Sequence, residues 1–299
     1  VGTIETKVMS EHEETRTVIE AGFRQQREFL LSGIDLSVSS AEYHEDLDLI
    51  QKELDEHHPS TALRLLSRFS DVKWSRVSDD IKYRIVTLQG TAEVRLNNNE
   101  SGGRKLIKAL QYKPNEDKAM LNAALGYILI GKADLAENLA LKVIERNNSS
   151  PVAYARLIQA RGQKEPIEPI ISQIPESLLH SPDVAVALGQ HYYFQRDYRG
   201  AVRWLEIARE NYEDNSVTIR TLLASANYHA VQDDPQSLQG LQINEGNRTL
   251  LMDAIRLFDE VLTEISEDND LIRKTFIVSL IERAHVNRML GREDRANAD

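Results

Sequence analysis

Small and large apolar residues recur along most of the chain at a regular spacing. The clearest unit combines bulky and small residues in the order Leu188, Gly189, Tyr192, Ala201, Leu205 and Ala208. Two earlier segments repeat parts of this order, at Tyr127, Gly131 and Ala136, and at Gly90, Leu106, Ala109 and Pro114. Small residues suit points where two helices touch, and bulky residues suit points where they interdigitate. The pattern therefore predicts a solenoid of helical hairpins, in which each hairpin covers the apolar face of its neighbour.

These residues resemble the tetratricopeptide repeat (TPR), a unit of about 34 residues that forms two antiparallel helices. In that family small residues occupy positions 8, 20 and 27 of the unit. A unit that begins at Tyr83 places Gly90, Gly102 and Ala109 at these positions, whereas Glu93 departs from the bulky residue of position 11. The resemblance implies an all-α, right-handed superhelical solenoid. The alternative is a helical bundle without repeats.

The same pattern predicts hairpins that begin near residues 43, 83, 117, 151, 182, 218 and 277. The hairpin from residue 151 is degenerate, because Pro166, Pro169 and Pro175 should make its second helix short or irregular. In the hairpin from residue 218, the second helix is expected at Leu250–Leu262. A polar insert, roughly Val231–Asn247, precedes that helix and is expected to be functional or mobile.

The two ends of the chain suggest separate roles. Residues 1–36 are predicted to form a strongly polar helix with a loose apolar stripe. It should cap the first hairpin, the alternatives being a coiled-coil connector or a dimer seam. Residues 37–299 would form the TPR-like solenoid of about six to seven hairpins, cut off in the last one. Because the chain also begins at Val1 rather than methionine, it is expected to be a fragment of a longer protein.

Composition narrows the classes of function. The 47 acidic residues outnumber the 36 Lys and Arg and give a formal net charge of −11, which opposes binding to nucleic acid. The sequence has no apolar stretch long enough to cross a membrane and no secretion signal. It also has no cysteine, which fits a reducing cytoplasm and excludes a thiolate nucleophile. A cytoplasmic protein that binds neither nucleic acid nor membrane is expected.

The residues most suited to chemistry form no recognisable catalytic pattern. His57 and His58 are adjacent, so their side chains should point apart in a solvated turn. His44 lacks the second histidine of a zinc-protease helix, and the pair Gly102 and Gly103 lacks the flanking residues of a phosphate loop. The sequence therefore predicts no catalytic residue, no cofactor and no metal, and hence no enzyme.

The resemblance also implies where a partner would bind, since certain first-helix positions of TPR proteins face a concave groove. Carried over to this sequence, these positions give the candidate site residues Arg84, Arg95, Asn122, Arg156, Gln159, Gln190, Tyr193, His229, His285 and Arg288. Leu125, Ile128 and Phe194 are their apolar companions. Arginine can pair with carboxylates and asparagine can hold peptide amides, so the set suits an extended acidic or polar peptide. Binding of a chaperone tail is not expected, because the lysines that capture its carboxylate are missing.

The function predicted from the sequence is a non-catalytic scaffold that binds a peptide or protein partner in its concave groove. One alternative is the sensor or regulatory region of a larger multidomain enzyme or effector protein. Another is a self-assembly module that dimerises. The sequence leaves the identity of the partner and the oligomeric state open.

Overall fold

The structure is a computed structural model that describes residues 40–71, 74, 77–162, 166–211, 216–234, 243–264 and 270–298. Within these ranges all regular elements are helical. They are α1 (Ser40–Asp55), α2 (Pro59–Ser67), α3 (Asp79–Arg95), α4 (Asn99–Ala109), α5 (Asp117–Leu129), α6 (Ala133–Arg146), α7 (Pro151–Arg161), α8 (Glu168–Ile171), α9 (Glu176–Leu179), α10 (Pro182–Phe194), α11 (Tyr198–Asn211), α12 (Val217–Gln232), α13 (Glu245–Glu264), α14 (Asp270–Met289) and α15 (Glu293–Ala296), with 3₁₀ turns at Arg68–Asp71 and Leu110–Tyr112. The predicted helix at residues 1–36 lies outside the described residues, so it stays a prediction.

The helices stack in chain order. The hairpins are α1 with α2, α3 with α4, α5 with α6, α10 with α11, α12 with α13, and α14 with α15. Each second helix also packs against the first helix of the following hairpin, as α4 does with α5 and α13 does with α14. This continuous stack is the all-α solenoid that the repeat pattern predicts. No helix among the described residues is long and apolar enough to cross a bilayer.

A repeated turn reverses the chain inside the hairpins. In five of the described turns, the second residue after the first helix has a positive φ; these residues are His57, Asn97, Gly131, Arg196 and Gly291. In the first turn, His57 N–H donates to Leu54 O over 3.0 Å and His58 N–H donates to Glu53 O over 2.7 Å. This pair of bonds is a Schellman motif, which satisfies the last carbonyl groups of the helix. The motif directs the chain back along the helix it has just left.

Small residues lie where the helices cross, as the repeat positions predict. A Cβ atom added to Gly90 would lie 3.0 Å from Gly102 O on α4, and one added to Gly189 would lie 2.6 Å from Leu205 Cγ on α11. Ala124 is fully buried in a cluster with Ala136. Backbones approach closely at these crossings, so larger side chains would separate the helices.

The degenerate hairpin keeps its core although its second helix is broken. In place of one long helix, the chain forms the four-residue helices α8 and α9, as the three prolines predict. Ile167, Ile170 and Ile174 are buried and pack in one cluster with Tyr154 and Leu188. The irregular segment therefore packs apolar side chains against both α7 and α10.

The polar insert is shorter than the sequence suggests. Helix α12 continues to Gln232, and α13 begins at Glu245, five residues before the predicted start. Asn244 Oδ1 accepts the N–H of Asn247 over 2.8 Å and so caps α13. The buried Asn247 side chain also bonds Arg199 and Asp234. Polar residues that resemble a loop thus start a helix, and residues 235–242 lie outside the described residues.

Candidate binding face

The candidate residues lie on one series of helices. We define the first-helix face as the surface formed by α1, α3, α5, α7, α10, α12 and α14. Along this series α1 contacts α3, α5 contacts α7, α7 contacts α10, α10 contacts α12 and α12 contacts α14. All ten candidate residues belong to these helices. Their contacts differ from one end of the face to the other.

Two candidate arginines are engaged by the first hairpin. Arg84 on α3 forms an ion pair with Asp48 on α1, and its Nη1 lies 2.9 Å from His44 Nδ1. Arg95, at the end of α3, donates to the carbonyl oxygen of Leu54. The sequence predicts that both arginines meet a partner's acidic groups. In the structure both arginines contact α1, which presents the Asp48 carboxylate and the Leu54 carbonyl oxygen beside them, and their contact with a partner stays a prediction.

The amide of Asn122 joins the next pair of first helices. Its Nδ2 atom donates to Tyr83 Oη over 3.1 Å and so connects α5 to α3. Burial raises the pKa of Tyr83, whereas its hydrogen bond with Asn122 acts in the opposite direction. The phenol therefore stays neutral and can accept the amide hydrogen.

The middle of the face carries a row of amides beside a guanidinium. Arg156 Nη1 donates to Gln159 Oε1 over 2.7 Å, and Gln159 Nε2 donates to Gln190 Oε1 over 3.2 Å. The row crosses from α7 to α10. Arg156 Nε is buried and has no hydrogen-bond partner in the described part of the chain. Burial lowers the pKa of Arg156, and the charge of Asp183 opposes this shift.

Aromatic rings gather where α10, α11 and α12 meet. The ring centroid of Tyr193 lies 5.3 Å from that of Tyr198 and 5.9 Å from that of His229. Phe194 follows Tyr193 with its ring centroid 6.1 Å away, and this residue is 71% exposed. Edge-to-face and stacked contacts of this length are favourable between aromatic rings. The face therefore has an aromatic region toward its C-terminal end, which we call the aromatic cluster: Tyr193, Phe194, Tyr198, Tyr228 and His229.

The carboxylate of Glu282, on α14 of the last hairpin, favours the protonated form of His229 in this cluster. His229 Nε2 lies 3.8 Å from Glu282 Oε1, and the same carboxylate accepts the hydroxyl of Ser225. The nearby Glu282 carboxylate raises the pKa of His229 above its usual value, although burial acts against it. Burial, with a smaller effect of Glu282, raises the pKa of Tyr193 to about 12. Glu282 thus favours an imidazolium beside neutral phenols.

The remaining candidates lie near the end of α14. His285 Nδ1 is 3.2 Å from Tyr228 Oη and so joins α14 to α12. Arg288 is exposed one turn further on. Glu282 is missing from the set predicted from sequence, although it occupies a groove position of its repeat. Tyr198 is also missing from the predicted set, because it lies on a second helix and the groove positions of the repeat are all on first helices.

Solved structures resemble the chain, although no family model and no curated protein matches its sequence. The APC/C hetero-tetramer Cut9–Hcn1 is 14% identical, with a TM-score of 0.53, and the match covers 93% of this chain and 48% of that chain. NprR in complex with its cognate peptide NprX is 12% identical, with a TM-score of 0.53, over 95% and 82% of the two chains. A monomeric IFIT1 mutant with m7Gppp-AAAA is 14% identical, with a TM-score of 0.54, over 84% and 57%.

Proteins named for the tetratricopeptide repeat are also among the matching structures, from Cytophaga hutchinsonii and Parabacteroides merdae, at TM-scores of 0.42 and 0.43. The stacked hairpins have small residues at the crossings that this repeat requires. The chain has a TPR-like fold. At identities of 12 to 14% the similarity concerns the fold.

Proposed function

We propose that this TPR-like chain is a non-catalytic scaffold that binds an extended peptide segment of a protein partner along the first-helix face. Two proteins of similar fold are named with a partner: Cut9 is in a hetero-tetramer with Hcn1, and NprR is in complex with its cognate peptide NprX. Extended peptides are recognised by polar groups that pair with the main chain and by pockets that receive side chains. The first-helix face offers the amide row of α7 and α10 and the aromatic cluster.

The observation that carries the proposal is the incomplete hydrogen bonding of Arg156. A guanidinium has five N–H donors, and here Nη1 bonds Gln159 while the buried Nε has no partner in the described residues. A buried polar group without a partner costs about 1–3 kcal/mol. A carboxylate of the bound peptide would accept hydrogens from the terminal Nη atoms of this guanidinium in the bidentate geometry that arginine favours. The partner is therefore a segment that contains an acidic side chain or its own C-terminal carboxylate.

The surrounding residues extend this recognition along the face. Gln159 and Gln190 place amide groups beside Arg156, where they can pair with the peptide main chain. The exposed ring of Phe194 can receive an apolar side chain of the peptide. Arg84 and Arg95 are bound to α1, so recognition of negative charge would concentrate on Arg156 rather than spread along the groove.

The test is a selection of peptides from a random displayed library on the purified chain, followed by measured affinities for variants. Arg156→Lys keeps the charge but removes the bidentate pair, and Phe194→Ala removes the exposed ring. Each should weaken binding of the selected peptides by about tenfold, which corresponds to about 1.4 kcal/mol. Arg104→Ala is the matched control, because Arg104 is an exposed arginine on α4 that pairs with Glu100.

Three results would contradict the proposal. One is a library that yields no binder, and another is unchanged affinity in both first-helix variants. The third is equal weakening by Arg104→Ala, which would indicate a general effect of positive charge. Catalytic turnover by the purified chain would contradict the non-catalytic part of the proposal by itself.

A further inference from the structure

The turn between α1 and α2 brings together three side chains that commonly bind metals. They are Glu53 in the last turn of α1, Glu56 just after it, and His58 before α2. His58 Nδ1 lies 3.4 Å from Glu53 Oε2 and 3.9 Å from Glu56 Oε2. One ligand atom from each residue lies within 4.8 Å of the other two. The three donor atoms therefore surround a common point.

The Schellman motif creates this arrangement. His57 takes the left-handed conformation, with a φ of 63°, and His58 N–H then donates to Glu53 O over 2.7 Å. These contacts fold His58 back over the last turn of α1. Glu53 and Glu56 are three residues apart and so lie on the same side of that turn. The exposed His57 is not a member of the group.

The distances fit a small divalent cation. Zinc binds imidazole nitrogen and carboxylate oxygen at about 2.0–2.2 Å, and in a tetrahedral site two such ligand atoms lie about 3.4 Å apart. The pair formed by His58 and Glu53 already has this separation, and the pair formed by His58 and Glu56 is 0.5 Å longer. Small side-chain rotations would complete three corners of a tetrahedron. A water molecule can occupy the fourth corner.

Charge favours a divalent ion over a proton at this point. The turn holds two carboxylates, and Glu53 is only 9% exposed. A proton on His58 neutralises one of them, whereas a divalent cation neutralises both and leaves the imidazole neutral. Lys52 also approaches Glu56, but its Nζ atom lies 3.7 Å from Oε1, the carboxylate oxygen that does not face His58. Both side chains of this pair are exposed. Glu56 Oε2 therefore still faces His58.

We infer that Glu53, Glu56 and His58 form a binding site for Zn²⁺ at the tip of the first described hairpin. The imidazole and carboxylate donors match the preference of zinc, whereas Mg²⁺ and Ca²⁺ prefer all-oxygen sites. The ion would tie α1 to the start of α2. The site is separate from the first-helix face residues proposed to bind a peptide, so either proposal can fail without the other.

The test is calorimetric titration of the tag-free chain with ZnCl₂ at neutral pH, together with the visible absorption of bound Co²⁺. Wild-type protein should bind one ion with micromolar affinity at this site and give the intense Co²⁺ bands of a tetrahedral site. His58→Gln and Glu53→Gln should each weaken Zn²⁺ binding by about tenfold or more, because each removes a ligand. His57→Asn is the matched control, since it removes a histidine next to the site and Asn accepts the left-handed conformation.

Circular dichroism of each variant checks that it is folded. If Glu53→Gln does not fold, Glu56→Gln replaces it, because Glu56 is exposed. Unchanged Zn²⁺ affinity in His58→Gln would overturn the inference, as would a wild-type chain that binds no Zn²⁺. Equal weakening by His57→Asn, or equal affinity for Mg²⁺ and Zn²⁺, would also overturn it, because neither result fits a site centred on the His58 imidazole.

Discussion

Replacing Gly126 by alanine tests how closely the hairpins must stack. Helix α4 lies between α3 and α5, and its adjacent residues Gly102 and Gly103 each meet a glycine of a neighbouring helix. A Cβ atom on Gly126 would lie 2.5 Å from Gly103 O and 3.0 Å from Ile107 Cγ1. The first of these is a main-chain atom of a helix, so it can move only if the whole helix moves.

The magnitude follows from two opposing effects. Ordinary contacts of a Cβ atom begin near 3.4 Å, so α4 and α5 would have to separate by about 0.9 Å at this crossing. Overpacking of this kind typically costs 1–3 kcal/mol, and the separation also loosens the contacts of the buried Leu106. Alanine is favoured over glycine in a helix by up to about 1 kcal/mol. The free energy of unfolding should therefore fall by about 1–2 kcal/mol.

Urea unfolding followed by circular dichroism measures this change. Gly246→Ala is the matched control, because Gly246 is also helical but its added Cβ would meet only Asn244 Oδ1, at 3.5 Å. That variant should be neutral or more stable than wild type by up to about 1 kcal/mol. If Gly126→Ala is as stable as Gly246→Ala, the backbones do not approach as closely as described and the stacking argument is refuted.

Three further predictions concern the turns, the aromatic cluster and the core. Gly131→Ala should destabilise the chain by about 1 kcal/mol and Arg196→Gly should stabilise it by a similar amount, because both positions have positive φ. Urea midpoints that shift in the same direction for the two variants would contradict this. The pKa of His229 is raised by Glu282, so its protonated form contributes stability that is complete below about pH 6.5 and is lost as pH rises through the raised value. The difference in unfolding free energy between wild type and His229→Gln should therefore shrink with rising pH, and a constant difference would exclude the ion pair. Phe258→Ala should cost about 3–5 kcal/mol in the same assay, because Phe258 is fully buried, and a loss below 1 kcal/mol would place it outside the core.

Much of the fold follows from short-range patterns in the sequence. Gly90, Ala124 and Gly189 lie at helix crossings because only small residues allow that approach, and their spacing is visible without coordinates. Prolines likewise mark the broken second helix after α7. The start of α13 was harder to predict. Composition alone assigns the polar residues around Asn244 to a loop, whereas the Asn244 side chain caps the helix.

The sequence predicts which positions the candidate site residues occupy, but not the contacts that they make. The repeat places the ten residues on the first helices, but it does not reveal that Arg84 meets Asp48 or that His229 meets Glu282. For the turn that holds Glu53 and His58, the sequence predicts only a solvated pair of histidines, because the left-handed conformation of His57 has no clear sequence signal.

The sequence by itself determined where helices form and which of their faces are apolar, since both depend on residues within one or two helical turns. The tertiary structure decided which polar groups are already engaged and which remain for a partner. Those contacts join residues tens of positions apart, as Arg84 and Asp48 are, and they depend on the distance between stacked hairpins. Hydrogen bonds and ion pairs form only over a few ångströms, so a small change in stacking decides whether they exist.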